Sequence, residues 1–184
     1  MAAEPRVVFR HTVEAFLSRV FIRRGLLQGA VKAQLLALGV DPAHPRDTPV
    51  PRWRQVVKLA ADTIAPGQPE ADAMREVGRE MIRGFEASLV GRSLFIVQRI
   101  IGMKRMLETL AHNYRNADNA TEVVVRELGP RDMELRFKVA EGIPWPTYTE
   151  GIILEAARAI GIRDEVRVGF RVESPSEVTY RVTW

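Results

Sequence analysis

The chain contains no cysteine, which excludes disulfides, thiolate metal sites and a cysteine nucleophile. Histidine is nearly as scarce: His11, His44 and His112 are the three in 184 residues, none with a partner at helical metal-ligand spacing. No apolar run approaches the roughly 18 residues that a membrane-spanning helix needs. The best candidate, residues 93–103, is broken by Gln98 and Arg99. An apolar leader core followed by small residues is also missing, so a cytoplasmic location is the simplest expectation. None of the glycines follows a strand to open a helix, which removes phosphate-loop and dinucleotide chemistry. Ser18, Ser88, Ser93, Ser174 and Ser176 lack a nucleophile-elbow context. No catalytic constellation emerges, so a non-enzyme without a metal or other cofactor is expected.

Hydrophobic content of 46% and charged content of 27% suit one globular domain spanning residues 1–184. The net charge of +4 divides unevenly, +7 over residues 1–115 and −3 over residues 116–184. A basic lobe can face nucleic acid. The basic residues, however, alternate with acids (Arg75-Glu76, Arg79-Glu80) and have no aromatic ladder, so no nucleic-acid partner is expected. The same alternation predicts a solvated ion-pair face around Glu76, Glu80 and Arg83.

Period-two alternation dominates the last seventy residues. Met133, Leu135, Phe137 and Val139 alternate with Glu134, Arg136 and Lys138, and the same period returns in Val166, Val168, Phe170 and Val172, and then in Val178, Tyr180, Val182 and Trp184. Strict alternation marks strands with one buried and one wet face, hence an antiparallel sheet. Gly129-Pro130 and Ser174-Pro175-Ser176 turn two hairpins, and Pro144 and Pro146 lead into a helix over about 147–160. The expected class is therefore α+β: a helical lobe of about five helices over 1–115, then a four-stranded antiparallel sheet over 116–184. Its order is strand-strand-helix-strand-strand.

Within the helical lobe, Thr12 is the predicted N-cap of a first helix bearing Val13, Phe16, Leu17 and Val20. Further helices are predicted over about 26–38, 51–65, from Pro69 to about Leu89, and 93–114. The last is apolar nearly all round at first (Leu94, Phe95, Ile96, Val97, Ile100, Ile101), which predicts burial on several sides. Gly78, Gly84 and Gly91 stand out because a helical glycine costs about 1 kcal/mol relative to alanine. Gly84, Ser88 and Gly91 share nearly one face, which suits close helix packing, a pocket wall or a partner interface. The wet face of the sheet carries Arg136, Lys138, Arg167, Arg171 and Arg181; a solvated face is the ordinary reading, a docking surface for an acidic partner the other.

Several segments together resemble a paralogous family of uncharacterised myxobacterial proteins. They are Thr12-Val13-Glu14, Trp53, Pro66-Gly67, the spaced glycines 78, 84 and 91, Tyr114 through Asn119, Tyr148 with Gly151, and Tyr180 through Trp184. In element order that family is similar to the ligand-binding fold of haem nitric-oxide sensors, vinyl-reductase-like sensors and trafficking-particle tether subunits. The resemblance implies a binding or sensing module, with haem or an apolar molecule held between helices and sheet. The haem branch carries a tyrosine-x-serine-x-arginine clasp; Tyr114, Asn116 and Asp118 depart from it, and no histidine lies between His44 and His112, so haem is not expected. The expected site is an apolar cavity walled by Phe85, Leu89, Phe95, Ile101 and Tyr114, with Tyr114 or Asn119 as polar contacts. The alternative is a protein-interaction module with a filled core, working through Gly84 and Ser88 or through Arg167 and Arg171, possibly as a homodimer.

Overall fold

A computed structural model describes residues 5–140, 145–162 and 166–184; Pro144 lies outside them. Strand β1 (Val7–Val8) pairs antiparallel with β2 (Thr48–Pro49). Helix α1 (Arg10–Phe16) continues as a π-helical turn, Leu17–Ile22, followed by α2 (Gly29–Ala37), α3 (Val50–Ile64), α4 (Glu70–Glu86) and α5 (Leu89–Arg115). Then come β3 (Thr121–Gly129), β4 (Asp132–Val139), α6 (Pro146–Ala159), β5 (Arg167–Ser174) and β6 (Glu177–Thr183). These last four strands form an antiparallel sheet in the order β3-β4-β6-β5. The fold is α+β, and its sheet follows the alternation in the sequence.

The sheet register explains one core. Met133 opposes Val182, Leu135 opposes Tyr180 and Phe137 opposes Val178, all on the face covered by α6 and the second half of α5. Phe170 and Val172 share the alternation but are exposed, because they lie on the edge strand β5 toward the end where Val166 and Val168 no longer carry the contact with the core. A second core gathers Phe16, Leu17, Val20, Phe21, Leu35, Val56, Ala60, Met74 and Val77 inside the helical lobe.

Three predicted features differ from the structure. Thr12 does not cap α1. The helix starts two residues earlier, where the Phe9 carbonyl accepts from Thr12 N and Val13 N while Phe9 N donates to the Ala117 carbonyl at 3.0 Å. A long-range backbone junction thus sets the start. Glu80 is buried rather than on a solvated face, receiving Arg23 at 2.7 Å and Arg83 at 2.8 Å. Finally, the first half of α5 is not buried. Leu89 is 78% exposed and Ile100 83%, and Gly102, at φ 85° and ψ 177°, breaks the helix just beyond them.

Gly78 and Gly91 are contact points between backbones. A Cβ on Gly78 would sit 2.1 Å from the Tyr148 carbonyl oxygen, and one on Gly151 would sit 2.1 Å from that of Arg75. Helices α4 and α6 therefore cross with no side chain between them. Gly91 similarly allows the tight α4–α5 turn against the Phe85 carbonyl.

Candidate functional site

A cleft of about 380 Å³ opens between α1, its π-helical continuation, α4, α5 and α6. Its walls are mainly apolar: Met81, Ile82 and Phe85 from α4, Leu94, Phe95, Met106 and Leu110 from α5, and Ile152 and Ala156 from α6. Phe85 and Phe95 meet edge to face, 5.7 Å between ring centres. Apolar spacing on α4 (Met81, Ile82, Phe85) follows the helical repeat, so a single face supplies one wall.

Polar groups are few. The Arg19 guanidinium lies 4.6 Å over the Phe85 ring, within cation–π range. Burial holds it below the usual arginine value, with a smaller opposing effect from Tyr148. Tyr148 also lines the cleft, and burial raises its phenol. Gln98, 3% exposed, faces the cleft from α5. The Tyr114 hydroxyl shares a 3.0 Å hydrogen bond with the Thr149 hydroxyl, and its ring stands perpendicular to Phe137 at 4.9 Å. His11, Asn113 and Asn116 form the exposed rim. Among the described residues no aspartate or glutamate lines the cleft.

Of the residues singled out in the sequence, Phe85, Phe95 and Tyr114 meet at this cleft. Leu89 and Ile101 do not: they share the first half of α5 with Phe95 but fall on its solvent-facing side. Asn119 is committed elsewhere: its Oδ1 accepts from Val7 N at 2.8 Å and its Nδ2 donates to the Pro5 carbonyl at 3.1 Å. Gly84 is no free partner surface, since the stem of Arg19 fills the space above it; a Cβ there would lie 2.5 Å from Arg19 Cβ. Ser88 caps α5, accepting from Gly91 N at 3.0 Å. Arg167 and Arg171 are exposed on β5, and Arg171 pairs with Glu173 at 2.6 Å.

Arg19, Gln98, Met106 and Tyr148 were not among the expected site residues. Arg19 follows Phe16 and Leu17 on what reads as a plain α-helix. It lies instead in the π-helical turn, where Arg23 N donates to the Ser18 carbonyl five residues back, and it lines the cleft.

The arrangement of helices and sheet is similar to that of H-NOX domains. One solved structure of this fold is described as "Probing the function of heme distortion in the H-NOX family"; it is 16% identical, with 95% of this chain and 94% of that one covered and a TM-score of 0.63. A T. Tengcongensis H-NOX mutant is 13% identical over 95% and 96%, with a TM-score of 0.61. An oxygen-binding H-NOX domain related to soluble guanylate cyclases is 15% identical over 94% and 91%, with a TM-score of 0.57. Identity this low shows the fold alone. Residues 6–184 match the family described as a protein of unknown function, DUF2378, and the chain belongs to that family. No curated protein matches it.

Whether this chain's donors suit a haem can be tested on the cleft itself. His11 stands at the rim with Nε2 3.1 Å from the Asn116 carbonyl, and His112 is exposed with Nε2 2.8 Å from Asn116 Nδ2. His44 pairs with Asp41 at 3.1 Å, ahead of β2. Burial pushes the Tyr114 phenol well above its ordinary value and raises that of Tyr148. Asp118 occupies itself with Ala120 N, Thr121 N and the Thr121 hydroxyl, at 2.6 to 2.9 Å, turning the chain into β3. The chain has no cysteine for a thiolate ligand, and among the described residues His11, at the rim, is the one histidine that lines the cleft. Among the described residues, no cluster of histidine, aspartate and glutamate could hold a metal ion, and no helix is long and apolar enough to cross a membrane.

Proposed function

We propose that this chain is a non-enzymatic ligand-binding module, a sensor or adaptor that takes an apolar small molecule into the cleft. The observation that carries this reading is the cleft itself: about 380 Å³, walled by aromatic and aliphatic side chains with a few polar groups. Small-molecule sites in general have that size and character. The fold of the H-NOX structures, one of them an oxygen complex, supports a sensing role. Affinity comes from burying ligand surface, at about 25 cal/mol per Å².

A neutral apolar dye, phenylnaphthylamine, provides the test. Its fluorescence is expected to rise with the native chain and stay flat with Ala15→Trp, which fills the cleft from α1. If the dye binds both chains alike, or neither, the reading is wrong. Native against denatured mass would weigh any molecule carried through purification.

A second reading is favoured by one observation, the exposed apolar stretch of α5. Leu89, Val90, Ile96, Val97, Ile100 and Ile101 together make the kind of patch that marks protein contacts. On this reading two copies of the chain associate through that face. Sedimentation of the native chain beside Ile100→Glu tests it: a dimer that the substitution dissolves supports it, and a concentration-independent monomer rejects it.

A further inference from the structure

The charge inside the cleft has no counter-charge. Arg19 extends over Phe85 at 4.6 Å with five N–H donors and no carboxylate partner among the described residues. The nearby acids on α4 are already taken: Glu80 holds Arg23 and Arg83, and Glu76 holds Arg83 and Arg79. On α6, Glu155 holds Arg83 and Arg158. Tyr148 adds one O–H donor on the same cleft and responds electrostatically to Arg19. A charge drawn out of water costs free energy unless something pairs with it. Gly84 makes this placement possible, since any side chain there would displace the Arg19 stem.

We propose that the cleft binds an amphipathic monocarboxylate, its head group accepting from Arg19 and Tyr148 and its alkyl part lying along Phe85, Phe95, Met106 and Leu110. This rests on the cleft being a ligand site. One cation and one neutral donor balance a single negative charge. A phosphate dianion would keep an uncompensated charge beside the aromatic walls, and a cationic head would meet Arg19 as a like charge. A neutral alcohol can accept a hydrogen bond from the guanidinium but brings no counter-charge.

Displacement of phenylnaphthylamine by decanoate, decanol and decylamine tests the proposal. Charge-assisted hydrogen bonds are worth enough that decanoate is expected to displace the dye at roughly ten- to a hundredfold lower concentration than decanol. Decylamine should be the weakest. In Arg19→Met the preference for decanoate should vanish while dye and decanol still bind; Arg19→Lys should keep part of it, and Tyr148→Phe should reduce it severalfold. Equal displacement by decanoate and decanol in the native chain overturns the head-group assignment while leaving the cleft intact. So does a preference that survives in folded Arg19→Met. Failure of the dye to bind the native chain overturns the cleft reading and this inference with it. Should Arg19→Met not fold, the three-ligand comparison on the native chain decides alone.

Discussion

Residues 89–101 and 103–115 are two halves of α5 with opposite fates. The first half is the more apolar, yet Leu89, Val90, Ile96, Val97, Ile100 and Ile101 are exposed and only Gly91, Phe95 and Gln98 are buried. The second half buries Met103, Met106, Leu107 and Ala111 against the sheet side of the fold. Periodicity accounts for the difference. Apolar residues at 103, 106, 107, 110, 111 and 114 fall on one stripe, which one neighbouring layer can cover. An apolar residue on every side needs neighbours on every side, and this chain provides them on one. Gly102 divides the two because its positive φ takes the backbone out of the helix at that point.

The largest effect expected on the buried half comes from alkali. Burial keeps Tyr114, at the end of that half, and Tyr148 and Tyr180 beside it protonated above the ordinary phenol value of 10.0. Below about pH 10 folded and unfolded chains are both neutral at these positions, and above it only the unfolded chain releases protons, so stability falls as pH rises. A urea midpoint that stays level from about pH 8 to about pH 11.5 would contradict that burial. Next in size is Leu107→Ala, expected to cost about 2–5 kcal/mol in chemical denaturation because its side chain is fully buried. Gly102→Ala should cost about 1–2 kcal/mol, the strain of placing an L-residue at positive φ. An unchanged melting temperature would mean that the two halves can join into one helix. Smallest is Ile100→Ser on the exposed half, expected within about 0.5 kcal/mol of the native chain when monomeric. A larger loss would show that something covers that face in solution.

Much of this contrast could be read from residue order, and some could not. The strands were legible because alternation at 133–139 and 178–184 has no other regular explanation. The burial of α5 was misjudged because apolar content says how much surface needs covering, not whether a neighbour exists to cover it. Phe170 failed for a related reason: alternation assigns a face, whereas coverage depends on strand order in the sheet. At the cleft, Phe85, Phe95 and Tyr114 were identifiable as aromatics on neighbouring helices. Arg19 was not, since a π-helical turn leaves no distinct pattern of residue types. Asn119 was misread because its partners, Val7 and Pro5, lie more than a hundred residues away.

The contact between Gly78 on α4 and Tyr148 on α6 joins a helix of the first lobe to one of the second. Tyr148, Ile152 and Ala156 on that second helix complete the cleft begun by Arg19 and Phe85. A cut at the point where the composition changes would separate these contacts. A fragment ending at residue 115 would expose a bare backbone seam along α4 and keep half a binding site. Any insertion, fusion or exchange between relatives that preserves the cleft has to move both lobes together.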